Sequence, residues 1–208
     1  GLVVVPMLYL LTDAFAKKLC AFAQNGGTVI VTYWSGVVDE SDLCRLGDTP
    51  YGLTELLGLR RTEIDGMYDG ETRRCMSVAG CTLPAAQAST LCEVAALDEE
   101  NPAEPLSLYD EDYFAGHPAA VVHRYGKGRA YYLASRFDEA FYRAFYHDAA
   151  KEIGLSPAWP EALPEGVLAV RRGSFVFVQN CTEQPVTVGN TVLERYRTAV
   201  WKGKDRIF

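Results

Sequence analysis

Apolar positions follow two rhythms along this chain. Leu2-Val3-Val4-Val5-Pro6-Met7-Leu8 is an unbroken apolar run, the pattern of a central parallel strand covered on both faces. Thr12-Asp13 then cap a helix in which Phe15, Leu19, Phe22 and Ala23 recur at helical spacing up to the stop Asn25-Gly26-Gly27. Thr28-Val29-Ile30-Val31-Thr32-Tyr33 is a second buried strand. Strand, helix and strand within about 30 residues predict a right-handed βαβ unit and the opening of a doubly wound α/β fold. Because the first run starts at the second residue, the chain opens inside a strand, as expected of a piece cut from a longer protein or, more plainly, of a chain that has lost a short leader; the cut piece is the favoured reading.

Residues 34 to 50 are polar and carry Asp39, Glu40, Asp42 and Asp48; a short helix, Leu53 to Leu57, follows and stops at Gly58. Signals weaken between Arg60 and Glu100. Cys92 to Leu97 reads as a strand, whereas Asp69 to Ala88 has no clean period and is expected to leave the sheet. Ala119 to Tyr125 and Arg129 to Ala134 flank Gly126-Lys127-Gly128 as a hairpin. Asp138 to Ile153 is a helix with Phe141, Phe145, Ala149 and Ile153 on one face. Pro157, Pro160 and Pro164 then mark a linker, and the short runs beyond it predict a small antiparallel β module. The expected domains are 1–156 and 157–208.

The 208 residues are 49% hydrophobic and 23% charged, within the globular range, and the net charge of −7 argues against nucleic-acid or anionic-membrane partners. Charge divides with the pattern: residues 1–157 carry 13 basic and 22 acidic side chains, residues 158–208 carry 7 and 5. No apolar run approaches the roughly 20 residues that span a bilayer. The six cysteines are scattered without a C-x-x-C pair, which disfavours zinc and fits a reducing cytoplasm. Cys20 reads as a small helix hydrophobe, and the sequon Asn180-Cys181-Thr182 as chance.

Chemistry is sparse. No G-x-S-x-G elbow or cysteine equivalent occurs, and Ser35, which follows a strand, lacks the flanking glycines. Gly126-Lys127-Gly128 joins two strands, whereas a phosphate loop runs from a strand into a helix, so a plain turn is expected. Asp39-Glu40-Ser41-Asp42 and Asp110-Glu111-Asp112 lack calcium-loop spacing. None of the clearest strands carries an Asp or Glu inside it, so no glycosidase carboxylate pair is in view. No catalytic, cofactor or metal residue is assigned.

Several segments are similar to the middle region of bacterial β-galactosidases of glycoside hydrolase family forty-two: Val5 to Leu11, Asn25-Gly26-Gly27-Thr28, Thr32 to Cys44, Gly52 to Gly58 with Glu63-Ile64-Asp65, and Tyr125 to Tyr132. The resemblance covers nearly all of residues 1–154. It implies a Rossmann-like, glutamine amidotransferase-like sheet without the amidotransferase site that mediates homotrimer formation, followed by a small β domain. The catalytic (β/α)8 barrel that carries both glutamates in that family has no counterpart here, so no catalytic residue carries over. The implied role is a non-catalytic assembly region whose partners are its own barrel and two further subunits; the alternatives are an autonomous amidotransferase-like hydrolase and a sugar-binding sensor.

The loop from Tyr33 to Asp48 is the candidate interface. It leaves the carboxyl end of a strand, where doubly wound sheets place functional contacts, and joins aromatics to acids: Tyr33, Trp34, Ser35, Asp39, Glu40 and Asp42. Contact with the barrel or with a neighbouring subunit is the expectation, against the plainer reading that Trp34 caps its own core.

Overall fold

The computed structural model describes residues 1–47, 49–203 and 205–207, and the chain divides into two compact units, Gly1–Ile153 and Gly154–Phe208. The first unit runs β1 (Leu2–Val5), α1 (Asp13–Gln24), β2 (Thr28–Thr32), α2 (Thr54–Leu57), β3 (Leu59–Gly66), β4 (Arg73–Ser77), β5 (Ala86–Leu97), β6 (Glu104–Tyr109), β7 (Pro118–Tyr125), β8 (Gly128–Leu133), β9 (Ser135–Phe137) and α3 (Glu139–Glu152).

Its strands form one open mixed sheet in the order β1-β2-β8-β7-β6-β4-β5-β3, with β9 against β5. β1, β2 and β8 are parallel, and the remaining pairs are antiparallel. Alternate residues of β2 feed two cores. Val29 and Val31 join Leu19, Leu56 and Tyr132 in one, while Ile30 joins Phe141, Phe145 and Tyr109 in the other. Covering both faces in this way makes the sheet doubly wound in the Rossmann-like sense.

Both long helices start where their caps place them. The Thr12 hydroxyl accepts from the Phe15 N–H at 3.3 Å, and the Asp138 carboxylate from the Phe141 N–H at 3.0 Å. α1 buries Ala16, Leu19 and Ala23, leaving Phe15 exposed although its spacing fits the stripe. α3 buries Phe141, Phe145 and Ala149.

Two expectations need correction. β1 is an edge strand paired only with β2, and Val4 is 39% exposed, so its apolar run does not mark a central strand. Residues 69–88 do not all leave the sheet: β4 within them lies between β6 and β5, with Cys75 its single buried residue, too short an alternation to read. β5 carries a carboxylate, Glu93, inside it, completely buried.

The second unit contains β10 (Val167–Arg172), β11 (Phe175–Asn180), β12 (Val186–Val188), β13 (Thr191–Leu193), β14 (Thr198–Lys202) and β15 (Asp205–Arg206). A four-stranded antiparallel sheet, β10-β11-β14-β15, is joined by the β12-β13 hairpin. Trp159 packs edge-on against Trp201, their centroids 5.0 Å apart, so the proline-rich stretch belongs to this core. Asn180 of the sequon is fully buried, its amide donating to the carbonyls of Gln184 and Leu193 at 2.8 and 3.1 Å, which leaves it no role as a glycan acceptor.

Candidate functional site

The chain that leaves the carboxyl ends of β1 and β2 does not wander as an acidic loop. Residues 7–11, 36–39 and 43–45 lie side by side as a ribbon: the Gly36 N–H donates to the Leu8 carbonyl, Leu11 N–H to Val38, and Asp39 N–H to Leu43. Two hydroxyls at the end of β2 anchor it, Thr32 accepting from the Met7 N–H at 2.9 Å and Ser35 from the Leu8 N–H at 3.0 Å. Arg45 ties down its far edge by donating to Asp13 at 2.9 Å and lying 3.9 Å over the Tyr51 ring.

Beneath the ribbon lies a buried polar clamp. Trp34 takes up a left-handed backbone, φ 60°, which a bulky side chain adopts only where surrounding structure enforces it. Its N–H donates to Glu93 Oε1 at 2.9 Å. Arg61 of β3 donates to the same oxygen at 2.7 Å and to the Ser35 carbonyl at 3.3 Å; the Tyr132 hydroxyl of β8 donates to Oε2. Tyr109 donates to the carbonyls of Glu93 and Ala134 and so holds the backbone of β5 in place. Three donors converge on one buried carboxylate, and each comes from a different element.

Burial pushes Glu93 above the ordinary carboxylate value, opposed first by the Arg61 charge and then by the Tyr132 and Trp34 donors. Burial likewise drives the Tyr132 hydroxyl far above its usual range. A carboxylate with no exposed surface touches no substrate, so the cluster is a clamp and not a catalytic base. The cysteines nearest the sheet centre are no nucleophiles either: burial pushes Cys75 up to about 12 and Cys92 up to about 11, and raises Cys20. Among the described residues no group of His, Cys, Asp and Glu has the arrangement of a metal site.

The six candidate residues separate. Tyr33 is buried, its hydroxyl pushed up by burial, and Ser35 is fully buried in its own unit. Trp34 is half-buried and stacks on Tyr9, with centroids 6.0 Å apart and planes at 15°. Asp39 turns inward, accepting the N–H groups of Ser41 and Leu43 at 2.8 and 3.1 Å, and these bonds hold its carboxyl below the usual range. Glu40 and Asp42 are exposed, and Asp48 lies outside the described residues.

Sequence reasoning missed the apolar half of this surface. Met7 is 50%, Leu43 63% and Leu46 93% exposed, and Tyr9 and Leu10 are open beside Trp34. The signal was present in Leu8-Tyr9-Leu10-Leu11, apolar well beyond the end of β1. Contiguous exposed apolar side chains rimmed by acids are the composition of an interface.

Residues 1–156 match the family described as the β-galactosidase trimerisation domain. The β-galactosidase BglY of Alicyclobacillus acidocaldarius is 44% identical over 190 residues, covering 88% of this chain and 27% of that protein. The structure of a β-galactosidase from Rahnella sp. R3 superposes with a TM-score of 0.85 at 38% identity, covering 96% of this chain and 32% of that one. A glycoside hydrolase family 42 β-galactosidase, Gan42B, gives 0.79 at 29% identity, covering 96% and 31%. The chain thus spans about a third or less of the length of these relatives. No helix among the described residues is long and apolar enough to cross a membrane. With residues 1–156 matched by that family and 44% identity to a β-galactosidase over 190 residues, the chain belongs to the trimerisation domains of family 42 β-galactosidases, a non-catalytic assembly region.

Proposed function

We propose that this chain assembles a homotrimeric cytoplasmic β-galactosidase, with residues 1–156 as the trimerisation domain and 157–208 as a small C-terminal β domain. Cleavage of terminal β-D-galactosides belongs to a barrel carried elsewhere in the same polypeptide. The observation that carries this reading is the ribbon, an exposed apolar and aromatic surface fixed from below by the Glu93–Arg61–Tyr132 clamp. A ring of three needs two different patches on each subunit, and the ribbon supplies one of them. The stacked Tyr9 and Trp34 and the exposed Leu43 supply its apolar side chains, and Glu40 and Asp42 its exposed acids. An autonomous hydrolase would need a reactive thiol or serine; Cys75, Cys92 and Ser35 are buried, which leaves the exposed Cys44 and Cys181 and the half-buried Cys20 and Cys81 as the candidate thiols.

Light scattering on the purified chain tests the reading. The mass should rise towards three times that of the chain as concentration increases from about 10 μM to about 1 mM, by mass action. A monomer throughout that range would count against an assembly role.

A further inference from the structure

The second unit has an apolar face that the assembly reading leaves unused. In its main sheet Val167, Val176, Val178, Ala199 and Trp201 point into the unit's own core. The opposite face of a solvated antiparallel sheet is ordinarily polar. Here the register sets Val170 against Phe177 and Phe177 against Val200, and Leu168 and Phe175 share that face. Leu168 is 60%, Val170 50% and Phe177 39% exposed. Arg172 and Lys202 flank Phe175 at one end, the Lys202 ammonium lying 5.8 Å from its ring centroid. A contiguous apolar sheet face with a cationic end is an interaction surface.

Length argues for what covers it. The Rahnella and Bacillus circulans β-galactosidases match this chain over 96% and 98% of its length, second unit included, yet the chain spans 32% of each. A module of this kind is therefore carried, in those enzymes, beside roughly two thirds of further polypeptide. A tethered neighbour docks without the translational and rotational cost of recruiting a separate molecule, so it outcompetes a free partner for the same face. We infer that the outer face of β10, β11 and β14 docks onto the catalytic remainder of its own polypeptide, on a surface apolar at its centre and acidic opposite Arg172 and Lys202. This inference rests on the reading that the chain is part of a β-galactosidase.

The test uses the whole polypeptide and site-resolved maleimide labelling read by peptide mass. Val170→Cys should label at least about tenfold more slowly than a control, Thr187→Cys on an exposed strand position, and equally slowly at low and high protein concentration. In the 208-residue chain alone both should label fast. Equal rates in the whole polypeptide would overturn the docking, and protection that grows with concentration would assign the face to a second copy instead. Leu168→Glu gives an independent readout: it should leave the melting temperature of this chain within about 2 °C and lower that of the whole polypeptide by about 5 °C or more. No difference between the two would also overturn it. A natural polypeptide no longer than this chain would remove the β-galactosidase reading itself, whereas free labelling in a longer one removes only the docking.

Discussion

Arg61→Met probes the clamp most sharply. The substitution keeps an unbranched apolar stem and deletes the charge that faces Glu93, leaving a fully buried carboxylate without its counterion. Breaking such a pair from one side costs about 3–5 kcal/mol when the remaining charge cannot escape. Here it can escape by taking up a proton. A carboxyl of ordinary value 4.5 kept protonated at pH 7 forfeits about 3 kcal/mol, which caps the loss. Because burial already raises Glu93 in the native protein, part of that cost is present before the mutation, and the expected deficit is about 2–3 kcal/mol. For a unit the size of Gly1–Ile153 this corresponds to a fall of about 5–10 °C in melting temperature.

The sign of the pH dependence follows from linkage. Glu93 has a folded value above its unfolded one, so its contribution to stability is complete below the unfolded value and is lost as pH rises through the folded value. Losing Arg61 moves the folded value still higher and widens that window. The deficit of Arg61→Met should therefore be largest near pH 7 and shrink as pH falls towards about 5. Urea unfolding at a series of pH values, with hydrogen exchange at β5 as the local readout, measures it. A deficit below about 0.5 kcal/mol, or one that does not change with pH, would refute the clamp as an ion pair.

Other consequences are simpler. Gly58 ends α2 at φ 62°, and a Cβ there would lie 2.6 Å from the His123 ring and 2.8 Å from the Ala103 nitrogen, so Gly58→Ala should cost about 2 kcal/mol or more in a denaturant melt. Asp138 caps α3 and also accepts from the Gln87 N–H at 2.7 Å; Asp138→Ala should therefore destabilise more than Thr12→Ala, whose cost is about 1 kcal/mol. In titration with a disulfide reagent at mild alkaline pH, Cys44 and Cys181 should react at once, while Cys75 and Cys92 should wait for unfolding.

Local chemistry made much of the fold legible. The cap at Thr12, the helix start at Asp138, the hairpin turn at Gly126-Lys127 and the stop at Gly58 are all short-range signals, and each lies where the structure has it. What escaped is what alternation cannot carry. β3 is broken by a bulge between Arg61 and Glu63, and β6 by bulges on either side of Ser107, so their periods never complete. The clamp was invisible because Arg61 and Glu93 stand 32 residues apart and Tyr132 lies 39 beyond Glu93. Ser35 gave no local sign of its role because the Leu8 N–H it receives lies 27 residues away along the chain. The acids were visible as a loop, yet only the fold shows that Asp39 is spent on its own turn while Trp34 and Tyr9 form the outward surface.

The central claim is that this outward surface holds subunits together, and Trp34→Ala combined with Glu40→Lys tests it most directly. The pair removes the stacked aromatic and reverses a charge whose carboxylate lies 3.7 Å from Arg45, while keeping the Asp39 side chain that accepts within its turn, so the chain's own stability should fall only by about 1–2 kcal/mol. In the whole polypeptide, light scattering across a dilution series should show the variant dissociating at a concentration at least about tenfold higher than the unmodified protein does. A variant that remains trimeric at every dilution while its melting temperature drops sharply would return Trp34 to the core and contradict the account.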